Sequence, residues 1–181
     1  MDKNNPTDNA SPDAEPPHAI LVANEQSILA IDPPRLQAAV RSVLEDSPYR
    51  LAMVSVAVVD DPTIHALNRQ YLDHDYPTDV LSFVLEDRRP RLVGELIVSA
   101  ATAQRNAAEY GWSPSEELLL YVVHGALHLV GYGDKTTNEV AAMREAEAAH
   151  LRKLGVSLPS QTTQRQEAST KNQTRDEVPT S

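Results

Sequence analysis

The chain has 181 residues and no cysteine, which suits one domain of ordinary size with tails and excludes disulfide frameworks and thiolate metal sites. Hydrophobic side chains make up 41% of it, enough for a real core. Sixteen basic against 26 acidic residues give a net charge of −10, which argues against a polybasic nucleic-acid or membrane-binding protein but leaves room for a small positive cleft around a metal.

Residues 1–17 are rich in Asp, Asn, Pro and Ala and carry hardly an apolar side chain larger than alanine. They lack the apolar stretch of a signal peptide, so the expected location is the cytoplasm. Ala19–Ala23 is a short strand candidate. Asp32 then caps a helix with Pro33 and Pro34 in its first turn and apolar positions at Leu36, Val40, Val43 and Leu44. Leu51–Val59 is β-rich and mostly apolar and predicts a buried strand. Asp60 or Asp61, followed by Pro62, starts a second helix through Ile64, Leu67 and Tyr71. Asp79–Leu85 and Leu92–Ser99 predict two more strands, joined by a polar connection, EDRRPR.

Alanine-rich residues 100–110 predict a third helix, ended by Gly111. Ser113, Pro114 and Glu116 open a fourth, running to Val130 with Gly131 as its stop. Trp112 reads as a hydrophobic staple at its start. A last helix spans about 137–154, and residues 158–181 are again polar. Both tails read as disordered, because neither can bury enough surface to offset ordering entropy. The first tail carries one base and four acids and the last three of each, so the expected domain, 18–157, keeps a net charge of −7. Four strands among five helices predict an α+β layer fold with a four-stranded mixed sheet. No apolar run approaches the ~20 residues that span a bilayer.

The fourth helix, SEELLLYVVHGALHLV from Ser115, is apolar on almost every side and should lie in the core. His124 and His128 interrupt it at a spacing of i, i+4, which puts both imidazoles on one face. A buried neutral imidazole must place one donor and one acceptor, and a divalent metal would satisfy both acceptors of the pair at once. Gly131-Tyr132-Gly133 permits a sharp reversal that would bring Asp134 back over the last turn. Asp134 reads either as a third ligand or as the cap of the last helix. Two histidines and a carboxylate make a known catalytic metal arrangement. His150 is the other candidate ligand; His65 and His74 flank the second helix and look like surface or cleft residues.

Gly125 stands where the zinc-protease pattern HExxH has its general base, which weighs against peptide cleavage. A ferrous oxygenase would need a different ligand order on a β-rich barrel. Ser82 lies in an apolar strand and is expected to hydrogen-bond locally rather than act as a nucleophile. Neither a nucleophile elbow nor a phosphate-binding glycine loop occurs in the sequence.

HGALHLVGYGD, residues 124–134, resembles the HGxLHLxGYDH signature of the YbeY endoribonucleases, also called ribosomal RNA maturation factors. Residues 67–83, LNRQYLDHDYPTDVLSF, are similar to that family's LNxxYRxxDxPTDVLSF block, and GELIVSAATA, 94–103, resembles its GDIxI strand. Glu117 occupies the place of a family glutamate, and Met143 with Glu147 resembles the MxxxE of its closing helix. The resemblance implies an α+β fold with a metal site on a central helix. It implies a metal-dependent, single-strand-specific endoribonuclease of ribosomal RNA processing and ribosome quality control. Its implied partners are single-stranded or ribosomal RNA and the small ribosomal subunit, with no membrane. In that family three histidines hold a divalent metal, usually taken as zinc; mapped here they are His124, His128 and, in the third position, Asp134. A carboxylate lowers the formal charge of the site and shifts its preference somewhat toward harder metals.

A second departure is Leu72, where the family block usually has an arginine thought to help catalysis. Leucine cannot contact phosphate. Arg69, three residues earlier, could reach one from the same face, or it is a solvated surface residue. The contrasting reading is a non-catalytic ribosome-assembly factor that keeps its metal site as structure.

Overall fold

The computed structural model describes residues 18–157; the expected disorder of 1–17 and 158–181 lies outside the described residues. The elements, in order, are β1 His18–Asn24, α1 Pro33–Glu45, β2 Leu51–Val59, α2 Asp61–Leu72, β3 Val80–Arg88, β4 Arg91–Ser99, α3 Ala100–Tyr110, α4 Pro114–Leu129 and α5 Thr137–Lys153. Their starts follow local chemistry. Asp32, Asp60, Ser99, Ser113 and Thr136 each accept a backbone N–H of the first turn through the side chain, and the last two form complete capping boxes with Glu116 and Glu139. Asp60 is thus the cap of α2. Asp61 turns inward instead, accepting from Ser99 Oγ at 2.5 Å, Thr102 Oγ1 at 2.8 Å and Arg105 at 3.0 Å, which ties α2 to the start of α3.

The strands form one mixed sheet in the order β1-β2-β4-β3, with β1, β2 and β4 parallel and β3 antiparallel to β4. The connection between β3 and β4 is shorter than its polar sequence suggests. Glu86, Asp87 and Arg88 pair with Val93, Leu92 and Arg91, leaving only Arg89 and Pro90 outside the strands. Cross-strand pairing holds these charged residues in extended form, where the sequence alone reads as loop. A register shift between Val84 and Glu86 marks a bulge.

Period-two alternation sends Ala52, Val54, Val56 and Val58 of β2 to one face, where they meet β4's Leu92 and Leu96 under α1 and α4. Ile64 and Leu67 of α2 cover Val59, Leu81 and Ile97 on the other face. Leu118–Val123, Ala126, Leu127 and Leu129 are buried, so α4 runs through the main core.

Close passage of α4 over the sheet depends on Gly125. A Cβ there would lie 2.9 Å from Leu96 Cδ2 and Val80 Cγ2 and 3.0 Å from Ser82 Oγ. Ser82 does not bond locally; its hydroxyl donates to the Gly125 carbonyl at 3.2 Å, pinning strand to helix. Trp112 packs against the core, but its N4 partner is Glu117 rather than an apolar residue. The staple is therefore also polar, with the indole N–H donating to the buried Glu117 carboxylate at 2.5 Å.

Candidate metal centre

His124 and His128 lie on the one stripe of α4 that neither sheet nor helices fully cover, with side chains 25% and 27% exposed. Their Nε2 atoms stand 2.9 Å apart, and the rings meet edge-on at 4.5 Å between centroids. After Val130 the chain reverses at Gly131, whose φ of +102° is one that L side chains rarely adopt. The reversal sets the Tyr132 carbonyl 2.9 Å from His128 Nδ1 and Asp134 Oδ2 3.6 Å from His128 Nε2. Asp134 does not cap α5, a role that falls to Thr136. Ligand atoms of His124, His128 and Asp134 lie within 4.8 Å of one another, and among the described residues this is the one such trio.

The outer nitrogens fix what the inner ones can do. His124 Nδ1 faces Glu147 Oε1 at 2.6 Å, and His128 Nδ1 faces the Tyr132 carbonyl. Both partners accept only, so each Nδ1 must carry its proton and donate. Each neutral ring then presents a bare lone pair at Nε2. Two lone pairs 2.9 Å apart repel unless a cation lies between them. A proton satisfies the pair; a divalent ion satisfies the pair and Asp134 together. Two neutral imidazoles and one carboxylate are a fitting donor set for such an ion.

The electrostatics agree. Burial pulls His124 down, but the hydrogen bond and charge of Glu147, with Asp79 and Asp134, raise it above the ordinary imidazole value. His128 is held below that value by burial and by the charge of His124, against the pull of the Tyr132 carbonyl, Asp134 and Glu147.

Other sequence candidates fall elsewhere. His150 is buried away from the trio, sharing a 2.7 Å hydrogen bond with Ser42 of α1 and lying 3.9 Å from Asp46. His65 pairs with Asp75 at 2.9 Å, and His74 stacks on Tyr76. Arg69 is two-thirds exposed and 4.0 Å from Asp75, as a solvated surface residue would be, and Leu72 is exposed at the end of α2. Asp79 accepts from Thr78 Oγ1 at 3.0 Å and Val80 N at 2.8 Å, so it fixes the backbone at the start of β3, and its charge reaches His124. Glu147 had no role assigned from the residues themselves. Its only sequence signal is the MxxxE likeness of α5, since an alanine-rich helix with several glutamates singles out none of them.

His150 gives a testable pH dependence. Burial and then the Lys153 charge hold it below its ordinary value of 6.5, against Asp46. The folded protein keeps it neutral, whereas the unfolded chain protonates it as pH falls below 6.5. Its contribution is thus intact above that value and lost progressively below it, toward the lower folded value. His150→Asn keeps a polar atom for Ser42 and removes the titration. Urea melts at about pH 7.5 and about pH 5.5 should show a smaller loss of stability in the variant than in the natural protein. An identical loss in both would refute this role.

The sequence model of the family described as endoribonuclease YbeY matches residues 21–155. The chain belongs to the YbeY endoribonuclease family. A YbeY relative from Rhodopirellula baltica, named endoribonuclease YbeY, is 53% identical over 108 residues, which cover 59% of this chain and 56% of that protein, so the chain spans little more than half of its length. One from Pelotomaculum thermopropionicum, with the same name, is 38% identical over 148 residues, 76% of this chain and 97% of that protein. A solution structure of a Thermotoga maritima protein matches with a TM-score of 0.51 at 25% identity, covering 78% of this chain and 98% of that one. The α+β fold with its His/His/Asp group is thus a YbeY-family fold, and the expected kinship holds over nearly all the described residues.

Proposed function

We propose that this protein is a metal-dependent, single-strand-specific endoribonuclease that acts in ribosomal RNA processing and ribosome quality control in the cytoplasm, with the small ribosomal subunit as partner. His124, His128 and Asp134 hold one divalent ion, zinc first among the candidates. The observation that carries the reading is the pair of Nε2 lone pairs facing each other at 2.9 Å beside Asp134, with both Nδ1 protons held from behind. The relatives' name, endoribonuclease, supplies the reaction class, hydrolysis of RNA phosphodiester bonds. No described helix is long and apolar enough to cross a membrane.

A divalent ion at this site supplies Lewis-acid charge to the phosphoryl oxygens and lowers the pKa of nearby water. The protein's own part is orientation. Glu147 and the Tyr132 carbonyl hold the imidazole protons at Nδ1, so that Nε2 is the nitrogen each ring turns to the site, and Gly131 lets the Asp134 carboxylate return to them. The recessed rings suit an unpaired strand, whose sugar–phosphate chain can bend into the site. A domain of net charge −7 offers no polybasic track for a duplex.

Leu72 favours a second reading, the assembly factor that keeps the metal as structure, because no cation stands where the family has arginine. Cleavage of a short single-stranded RNA, measured beside metal content in protein purified without chelator, separates the two. Metal with cleavage that chelation abolishes supports the nuclease. Metal without cleavage supports the assembly factor, and absence of both sinks both. Leu72→Arg should raise the cleavage rate by about tenfold or more if the reaction lacks a cation at the phosphate. Arg69→Ala should leave it unchanged, since Arg69 leans toward Asp75.

A further inference from the structure

Helix α5 has little apolar anchorage for its 17 residues: only Met143, His150 and Leu151 are buried. Polar contacts tie it down at two places. Toward its C-terminus, His150 holds Ser42 of α1 and Lys153 holds Asp46, the residue just past the end of that helix. About one turn before His150, Glu147 reaches His124 of α4. The Glu147 side chain is only 14% exposed, and a carboxylate desolvated that far is costly without a strong donor. The His124 Nδ1–H, at 2.6 Å, is that donor.

We propose that Glu147 is a positioning residue of the metal centre and that its bond to His124 couples docking of α5 to metal binding. This rests on the metal-centre reading above. By accepting the Nδ1 proton, Glu147 selects the tautomer whose Nε2 lone pair faces His128 and Asp134, and it fixes the ring plane. Without it, the ring is free to take the other tautomer, which presents N–H to the ion and cannot bind. The effect also runs the other way. An ion on Nε2 draws electrons from the ring and makes Nδ1–H a stronger donor, which tightens the bond to Glu147 and with it α5. By linkage the two effects are equal in free energy. The MxxxE pattern of the closing helix thereby gains a function: methionine buries the helix and glutamate reads the metal site.

The test uses the full chain and three proteins: the natural one, Glu147→Gln and Glu147→Ala. Affinity for Co²⁺ and Zn²⁺ is titrated, the His124 tautomer is read from ring ¹⁵N shifts without metal, and amide exchange across α5 is followed with and without Zn²⁺. Glu147→Ala should weaken metal binding about 10–100-fold, mix the His124 tautomers and lose the slowing of α5 exchange by metal. Glu147→Gln keeps a neutral acceptor, so it should hold the Nδ1–H tautomer and recover part of the affinity. If Glu147→Ala does not fold, Glu147→Gln decides, because weaker binding with the tautomer kept supports the role and natural affinity overturns it. Natural affinity and natural α5 exchange in Glu147→Ala overturn the proposal while leaving the metal centre standing. Failure of the natural protein to bind either ion overturns both.

Discussion

His124→Ala and His128→Ala should each abolish stoichiometric binding of a divalent ion, and with it any metal-dependent cleavage. Only three protein donors converge, so each carries a large share of the affinity. Structural zinc sites bind with about 10–16 kcal/mol, or roughly 3–5 kcal/mol for each of three ligands, so losing one costs about 10²–10⁴-fold in affinity. Truncating His128 also leaves His124 without the neighbour that faces its Nε2. Asp134→Ala should weaken binding less completely, because Asp134 is the most exposed of the three. Asp134→His should restore or strengthen it. Melting curves give an independent measure. An ion that binds only the folded state at 100 times its Kd adds about 2.7 kcal/mol, so the natural protein should melt several degrees higher with metal and the alanine variants should not. Retained stoichiometric binding in His124→Ala would place the ion elsewhere.

Gly125→Val should lower the melting midpoint by about 10 °C and weaken metal binding as well. Glycine inside a helix costs about 1 kcal/mol against alanine, so local propensity does not account for Gly125. Contact with the sheet does. A Cβ would press on Leu96, Val80 and Ser82 at 2.9–3.0 Å. The Leu96 methyl can swing away, but Val80 is stiff at χ1 and Ser82 is bonded to the Gly125 carbonyl. Relief therefore requires α4 to lift from the sheet. Overpacking of this kind costs about 1–3 kcal/mol, and a branched side chain belongs at the upper end. Because His124 is the adjacent residue, lifting α4 also moves a ring that must meet two partners within hydrogen-bond distance. Gly125→Ala gains helix propensity and should lose less. A midpoint within 2 °C of the natural protein's in Gly125→Val would show that the sheet has room, against the geometry.

Where the sequence was legible, short-range rules were enough. The caps at Asp32, Asp60 and Ser113 act on N–H groups three residues away, so each can be read, or narrowed to two neighbouring residues, in one window of sequence. The i, i+4 spacing of His124 and His128 follows from helix geometry, and the return of Asp134 needs only a reversal at Gly131. Most of the metal trio is therefore local, within eleven residues of chain from 124 to 134.

Tertiary structure decided everything that depends on distant partners. His150 looked like a spare ligand because histidine is a ligand type, but α5 turns it toward Ser42, 108 residues away. Ser82 finds the Gly125 carbonyl across 43 residues, and the charged end of β3 becomes strand only because β4 pairs with it. Glu147 meets His124 across 23 residues, and that contact sets which imidazole nitrogen can bind a metal. By itself the sequence determined the helices, the apolar parts of the strands and the three candidate ligand residues, since periodicity, capping and a glycine turn act within a few residues. The tautomers, the closeness of α4 to the sheet and the fate of each remaining histidine waited on the tertiary fold, because hydrogen bonds and steric contacts form between whichever groups packing brings together.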